Sequence, residues 1–130
     1  ILLCRRAIEP QIGLWTLPAG FMELGVSTEA AAQRETFEET NAEVDLHTLY
    51  AVFSLPHISQ IYMIFRGQLR SLDFGPTTES LEVRLFEPAH IPWEQLAFPV
   101  VHETLTRYQR DREHGTFALH VGTLKKSGRF

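Results

Sequence analysis

Two neighbouring stretches decide how this chain is read: Gly20-Phe21-Met22-Glu23-Leu24-Gly25-Val26-Ser27, and Arg34-Glu35-Thr36-Phe37-Glu38-Glu39-Thr40-Asn41. The first is a glycine-punctuated loop. The second belongs to a segment, Ser27 to Asn41, that is rich in Ala and charge and free of Gly and Pro, which predicts a helix of about four turns. Ser27 suits its N-cap, Glu29 its positive end, and Asn41 a left-handed C′ position. On that helix Glu35, Glu38 and Glu39 fall within an arc of about 100°, because i, i+3 and i+4 positions are neighbours. Like charges so close repel one another, which asks for something positive in front of them. A hard divalent cation with oxygen ligands, shared with substrate phosphates, meets that need, and Arg34 can orient one of the carboxylates. A lone Glu-Glu pair would read as a solvated helix face; here the pair comes with a loop of defined spacing.

Working outward, Ile1 to Cys4 reads as a strand ending at Arg5-Arg6, and Trp15-Thr16-Leu17 as a short alternating segment before the Pro18-Ala19-Gly20 turn. Beyond the helix, Val44 to Leu46, Tyr50 to Phe53, Ile61 to Phe65 and Glu82 to Phe86 are β-like. Gln60 to Phe65 is apolar almost throughout, predicting a central strand covered on both faces. Ser71 to Ser80 is a loop by composition. Phe98, Val101, Leu105 and Tyr108 predict an amphipathic helix to about Glu113, with Pro99 in its first turn. The tail, from about residue 115 on, is weakly patterned and reads as an irregular extension. Strands interleaved with an early and a late helix point to an α/β sandwich.

The 130 residues suit one domain, 1–130, and 44% hydrophobic with 22% charged residues is ordinary for a globular chain. A net charge of −4 argues against a nucleic-acid partner. No apolar run reaches the ~18–20 residues of a membrane span, so no membrane partner is expected. The single cysteine, Cys4, cannot form an internal disulfide and favours a reducing, cytoplasmic setting.

The spacing of Gly20, Arg34, Glu35, Glu38 and Glu39 resembles the Nudix box: Gly, five residues, Glu, seven residues, then Arg-Glu-aliphatic-any-Glu-Glu-any-Gly-aliphatic. Five such matches at one start arise by chance about once in a million at ordinary residue usage. Val26 stands where the box has its first Glu, Thr36 replaces the aliphatic residue, and Asn41 replaces Gly. The resemblance implies an α/β/α sandwich with a mixed sheet. Ile1 then begins after the first strand of such a fold, so that strand and anything upstream are expected to be missing, with one sheet edge left open.

It also implies a metal-dependent pyrophosphohydrolase acting on a nucleoside diphosphate derivative such as FAD, ADP-ribose or NADH. Carried over by position, Glu35, Glu38, Glu39 and the main-chain carbonyl of Ala19 would hold Mg²⁺ or Mn²⁺. Arg34, Glu38 and Glu39 would serve catalysis. A further carboxylate near the attacking water is expected from Glu82, with Glu79 as the alternative. Arg5, Arg6, Phe53, His57 and Tyr62 are candidates to contact the nucleotide as charge partners or stacking surfaces. The other five histidines, His47, His90, His102, His114 and His120, show no ligand spacing and default to surface or capping roles. Trp15 to Phe21, Ser54 to Gln60 and Glu79 to Phe86 look like the subgroup of ADP-ribose and FAD pyrophosphatases. The cysteine pairs of the zinc ribbon that precedes some relatives are absent, so no zinc is expected. The expected partner is a small nucleotide diphosphate, and the expected assembly a homodimer. The competing reading, motivated by Val26, is a Nudix-derived nucleotide-binding or regulatory domain that has lost turnover.

Overall fold

The computed structural model describes residues 1–125. It is a mixed α/β fold, and the chain divides into two compact units: Ile1–Leu46 with Gly67–Ala97, and His47–Arg66 with the segment from Phe98 onward.

The first unit holds a three-stranded antiparallel sheet in the order β2-β1-β5, from β1 (Leu2–Arg6), β2 (Trp15–Thr16) and β5 (Ser80–Leu85). Cys4 pairs with Thr16 on one side and Val83 on the other. Leu3, Cys4, Trp15, Val83 and Phe86 are buried, and Trp15 meets Phe86 edge-on with ring centroids 5.0 Å apart. Burial also pushes the Cys4 thiol up to about 12, leaving it a packing residue rather than a nucleophile.

Helix α1 (Thr28–Thr40) lies against β5. Its caps are those the sequence predicts. Ser27 Oγ accepts from the Ala30 N–H at 3.1 Å, and Asn41 takes the left-handed conformation at φ 62°. The 75–77 loop closes its C-terminal end: the Gly75 N–H donates to Thr40 O at 2.9 Å, Thr77 Oγ1 to Glu39 O at 3.3 Å and Asn41 Nδ2 to Pro76 O at 3.3 Å.

A second sheet has the order β4-β3-β6, from β3 (Val44–Leu55), β4 (Gln60–Leu69) and β6 (His120–Thr123); its 47–55 and 60–66 stretches and β6 belong to the second unit with helix α2 (Pro99–His114). The two short strands expected within 44–53 are one continuous strand, and β4 is not a doubly covered central strand. Among the described residues it lies at the sheet edge, with Ile61 70% and Met63 41% exposed. An apolar run reports composition, and only the neighbours decide how many faces are covered. Helix α2 buries Val100, Val101, Thr104 and Leu105 and is capped by Gly115 at φ 71°, within a residue or so of the end expected at about Glu113.

The tail is less irregular than its composition suggests, because β6 pairs in parallel with β3, His120 opposite Ala51 and Val121 opposite Val52. Residues 126–130 lie outside the described residues. A polar cluster fixes β6. Asp111 Oδ2 accepts from Tyr50 Oη at 2.6 Å and lies 2.6 Å from His120 Nε2, while Arg107 NH1 lies 3.1 Å from His120 Nδ1. A guanidinium only donates, so Nδ1 accepts and Nε2–H donates to Asp111. His120 is therefore no idle surface histidine. Burial acts to raise Asp111, but its hydrogen bonds from Tyr50 and His120 and the charges of His120 and Arg110 together leave the carboxyl below its ordinary 3.8.

Candidate functional site

The acidic face of α1 gathers in the first unit together with the loop that precedes the helix. Its organising cation is Arg34, which meets three carboxylates with three different nitrogens. NH1 lies 3.3 Å from Glu23 Oε2, NH2 3.1 Å from Glu35 Oε1, and Nε 3.7 Å from Glu38 Oε1.

Glu35 is the most enclosed of the three, its side chain 17% exposed against 49% for Glu38. The reason is Gly20. A Cβ there would overlap the Glu35 carboxyl group, Oε1 at 2.6 Å included, so only glycine lets the carboxylate lie against the loop backbone. The first residue of the motif is thus a close-approach glycine.

Glu39 is half-buried and accepts the Ala19 N–H at Oε2, 2.8 Å. Burial is the main force that pushes it up to about 8; the Ala19 hydrogen bond opposes the rise, and the charges of Glu35 and Glu79 add to it. The Ala19 contact is made through its N–H, whereas the carbonyl was the group expected to matter.

Glu79 arrives beside this face because the 75–77 loop is tied to the end of α1. Its own N–H donates to Thr77 Oγ1 at 3.1 Å and its carbonyl accepts from the Ala7 N–H at 3.0 Å. Glu82, by contrast, stands on β5 between two arginines, 3.6 Å from Arg5 NH1 and 3.7 Å from Arg84 NH1.

The nucleotide-contact candidates are scattered. Arg5 Nε donates to Gly13 O and Arg6 Nε to Pro10 O, both at 2.7 Å, so each braces the loop between β1 and β2. Phe53, Tyr62 and His57 belong to the second unit. Phe53 corrects the expectation of a stacking surface: it is 0% exposed, a core residue with the Arg107 guanidinium 5.2 Å from its ring centroid. Tyr62 is half-buried on β4. His57 is exposed and lines a shallow, mostly apolar cavity with Pro56, Thr123, Leu124 and Lys125.

Sequence reasoning missed Glu23. It lies in a loop eleven positions before Arg34 (34 − 23), where no helical spacing rule reaches, and its 73% exposed side chain leaves no hydrophobic signal.

The chemistry of this donor set fits a hard divalent cation. Glu23, Glu35 and Glu38 surround the Arg34 guanidinium, and Glu39, on the same helix as Glu35 and Glu38, feels the charges of Glu35 and Glu79 and is pushed up from 4.5 to about 8, mainly by burial. In the conformation described, no three acidic, histidine or cysteine side chains converge in a metal-ligating arrangement among the described residues. Arg34 holds Glu35 and Glu38 while Glu39 turns to Ala19.

Comparisons with known proteins agree with the motif. The structure of a Nudix hydrolase from Nitrosomonas europaea superposes with a TM-score of 0.94 at 57% identity, over 96% of this chain and 71% of that one. The ADP-ribose pyrophosphatase of Methanocaldococcus jannaschii is 33% identical over 107 residues, 75% of this chain and 59% of its own length. A UDP-X diphosphatase structure matches at a TM-score of 0.67 and 25% identity, covering 93% of this chain and 60% of its own. The chain spans about three fifths of the length of the curated relatives it matches. A model of the NUDIX domain family matches residues 1–109, a span that contains every element from β1 through the acidic helix to β5, and this chain belongs to that family.

Proposed function

We propose that this chain is a metal-dependent pyrophosphohydrolase that cleaves the diphosphate linkage of a nucleoside diphosphate derivative, ADP-ribose first among the candidates. The observation that carries the reading is the crowding of carboxylates on α1: Glu35 and Glu38 share one guanidinium with Glu23, and burial together with the charges of Glu35 and Glu79 pushes Glu39 up to about 8. A fold keeps such repulsion where a cation relieves it. ADP-ribose is placed first because the Methanocaldococcus jannaschii relative carries that activity in its name. FAD and NADH share the same diphosphate and remain in the panel.

Glu35, Glu38, Glu39 and the Ala19 carbonyl are the groups assigned to hold Mg²⁺ or Mn²⁺. When bound, the ion supplies charge neutralisation for the pyrophosphate and acidifies water. The protein's own part is orientation. Gly20 lets Glu35 lie close, Arg34 spaces Glu35 from Glu38, and the Ala19 N–H keeps Glu39 pointed at the loop. Water attacks one phosphorus, the P–O bond to the bridging oxygen breaks, and the proton leaves the water for a carboxylate. Glu79 has the better support for that last role, because its charge already bears on Glu39, whereas Glu82 is engaged by Arg5 and Arg84. The reducing cytoplasm is its proposed setting, supported by a lone, buried Cys4; no helix among the described residues is long and apolar enough to cross a membrane.

The test is a panel of ADP-ribose, FAD, NADH and diadenosine polyphosphates with Mg²⁺, products resolved chromatographically. Cleavage at the diphosphate of at least one of them is expected. Nucleotide binding without turnover of any would overturn the enzyme reading in favour of a binding domain.

A further inference from the structure

We infer that Glu23 is a positioning residue for the cation-binding face of α1, acting through Arg34 and supplying from position 23 the loop carboxylate that is absent at Val26. The inference rests on the reading that this face holds a divalent cation. Arg34 Nε is buried and has no hydrogen-bond partner, since Glu38 at 3.7 Å is too distant to accept from it. The planar head group is therefore oriented by its two outer nitrogens, NH1 toward Glu23 and NH2 toward Glu35. Two anchors fix the plane of a guanidinium; one leaves it free to turn about the other. With Glu23 in place, Arg34 is held partly away from α1, and Glu35 and Glu38 keep charge available for a cation. Without it, the whole of the arginine's charge falls on those two carboxylates and competes with the ion. Glu23 stands in a loop bounded by Gly20 and by Gly25 at φ 80°, and its side chain is 73% exposed, so its removal is expected to spare the fold.

Mn²⁺ binding to the full chain, followed by the paramagnetic resonance of the free ion, tests this in wild type, Glu23→Gln, Arg34→Gln and the double variant. Circular dichroism of each variant checks that it is folded. Glu23→Gln is expected to weaken Mn²⁺ binding about fivefold, the size of effect an exposed ion pair can transmit. In the Arg34→Gln background the same substitution is expected to have no further effect. An equal loss in both backgrounds would show a through-space charge effect and overturn positioning, as would no loss in either. A wild-type chain that binds no Mn²⁺ would overturn the cation reading itself and this inference with it.

Discussion

Glu39 on α1 and Asp111 on α2 are both half-buried helical carboxylates, yet they have settled in opposite ways. Asp111 accepts from Tyr50 and His120, 2.6 Å each, and is held below 3.8. Glu39 has the Ala19 N–H, but burial and the charges of Glu35 and Glu79 prevail and hold it at about 8. A satisfied carboxylate ties chain segments together, here α2 to β3 and β6. Glu39 keeps its raised value in spite of its hydrogen bond, and carboxylates perturbed in this way cluster at functional sites. The two helices show the same contrast, since α2 buries Val100, Val101, Thr104 and Leu105 while α1 buries only Ala31 and Thr40.

The largest effect expected from breaking this contrast is on turnover. Glu39→Gln keeps an oxygen for the Ala19 N–H but can no longer ionise to bind a cation, so ADP-ribose hydrolysis with Mg²⁺ should fall about a thousandfold with the circular dichroism spectrum unchanged. An undiminished rate would mean that the acidic face is a solvated surface. Asp111→Ala should do the reverse. It leaves Tyr50 Oη and His120 Nε2 without their acceptor and should cost about 1–3 kcal/mol in a denaturant titration, with the rate per folded molecule preserved.

The pH dependence separates the two carboxylates by sign. Glu39 binds its proton more tightly folded than unfolded, so its contribution is fully present below 4.5 and is lost as pH rises toward about 8. Asp111 is depressed, so its contribution is present above 3.8 and is lost as pH falls below that value. Melting temperatures in EDTA should therefore decline between pH 5 and 8, and Glu39→Gln should flatten that decline. A slope that survives the substitution would assign it to another group. The smallest effect belongs to the cap: Ser27→Ala removes the acceptor for the Ala30 N–H and should cost about 1 kcal/mol.

Much of this was legible from residues alone, and the reasons are local. Ser27, Asn41 and Pro99 mark helix ends through the backbone at their own positions, and the apolar spacing carries the second helix to about Glu113, so both helices read correctly. Gly20 and the Arg34 to Glu39 spacing identify the acidic face because helical periodicity is fixed. What escaped depends on long-range neighbours. The exposure of Ile61 and Met63 depends on what packs on that face of β4, and β6 exists because His120 finds Asp111 and β3. Phe53 looked like a nucleotide platform and is core, since an aromatic side chain carries no mark of which it will be. Glu79 gained support over Glu82 only once the 75–77 loop was seen tied to α1 and Glu82 seen paired with Arg5 and Arg84.

The central claim is that the unsettled carboxylates of α1 exist to hold a divalent cation for pyrophosphate cleavage. Its most direct test is the Mg²⁺ dependence of ADP-ribose hydrolysis by the wild-type chain after exhaustive treatment with EDTA. The account predicts no turnover in EDTA and a saturable return of activity on adding Mg²⁺ or Mn²⁺. Hydrolysis that proceeds equally well in EDTA would contradict it.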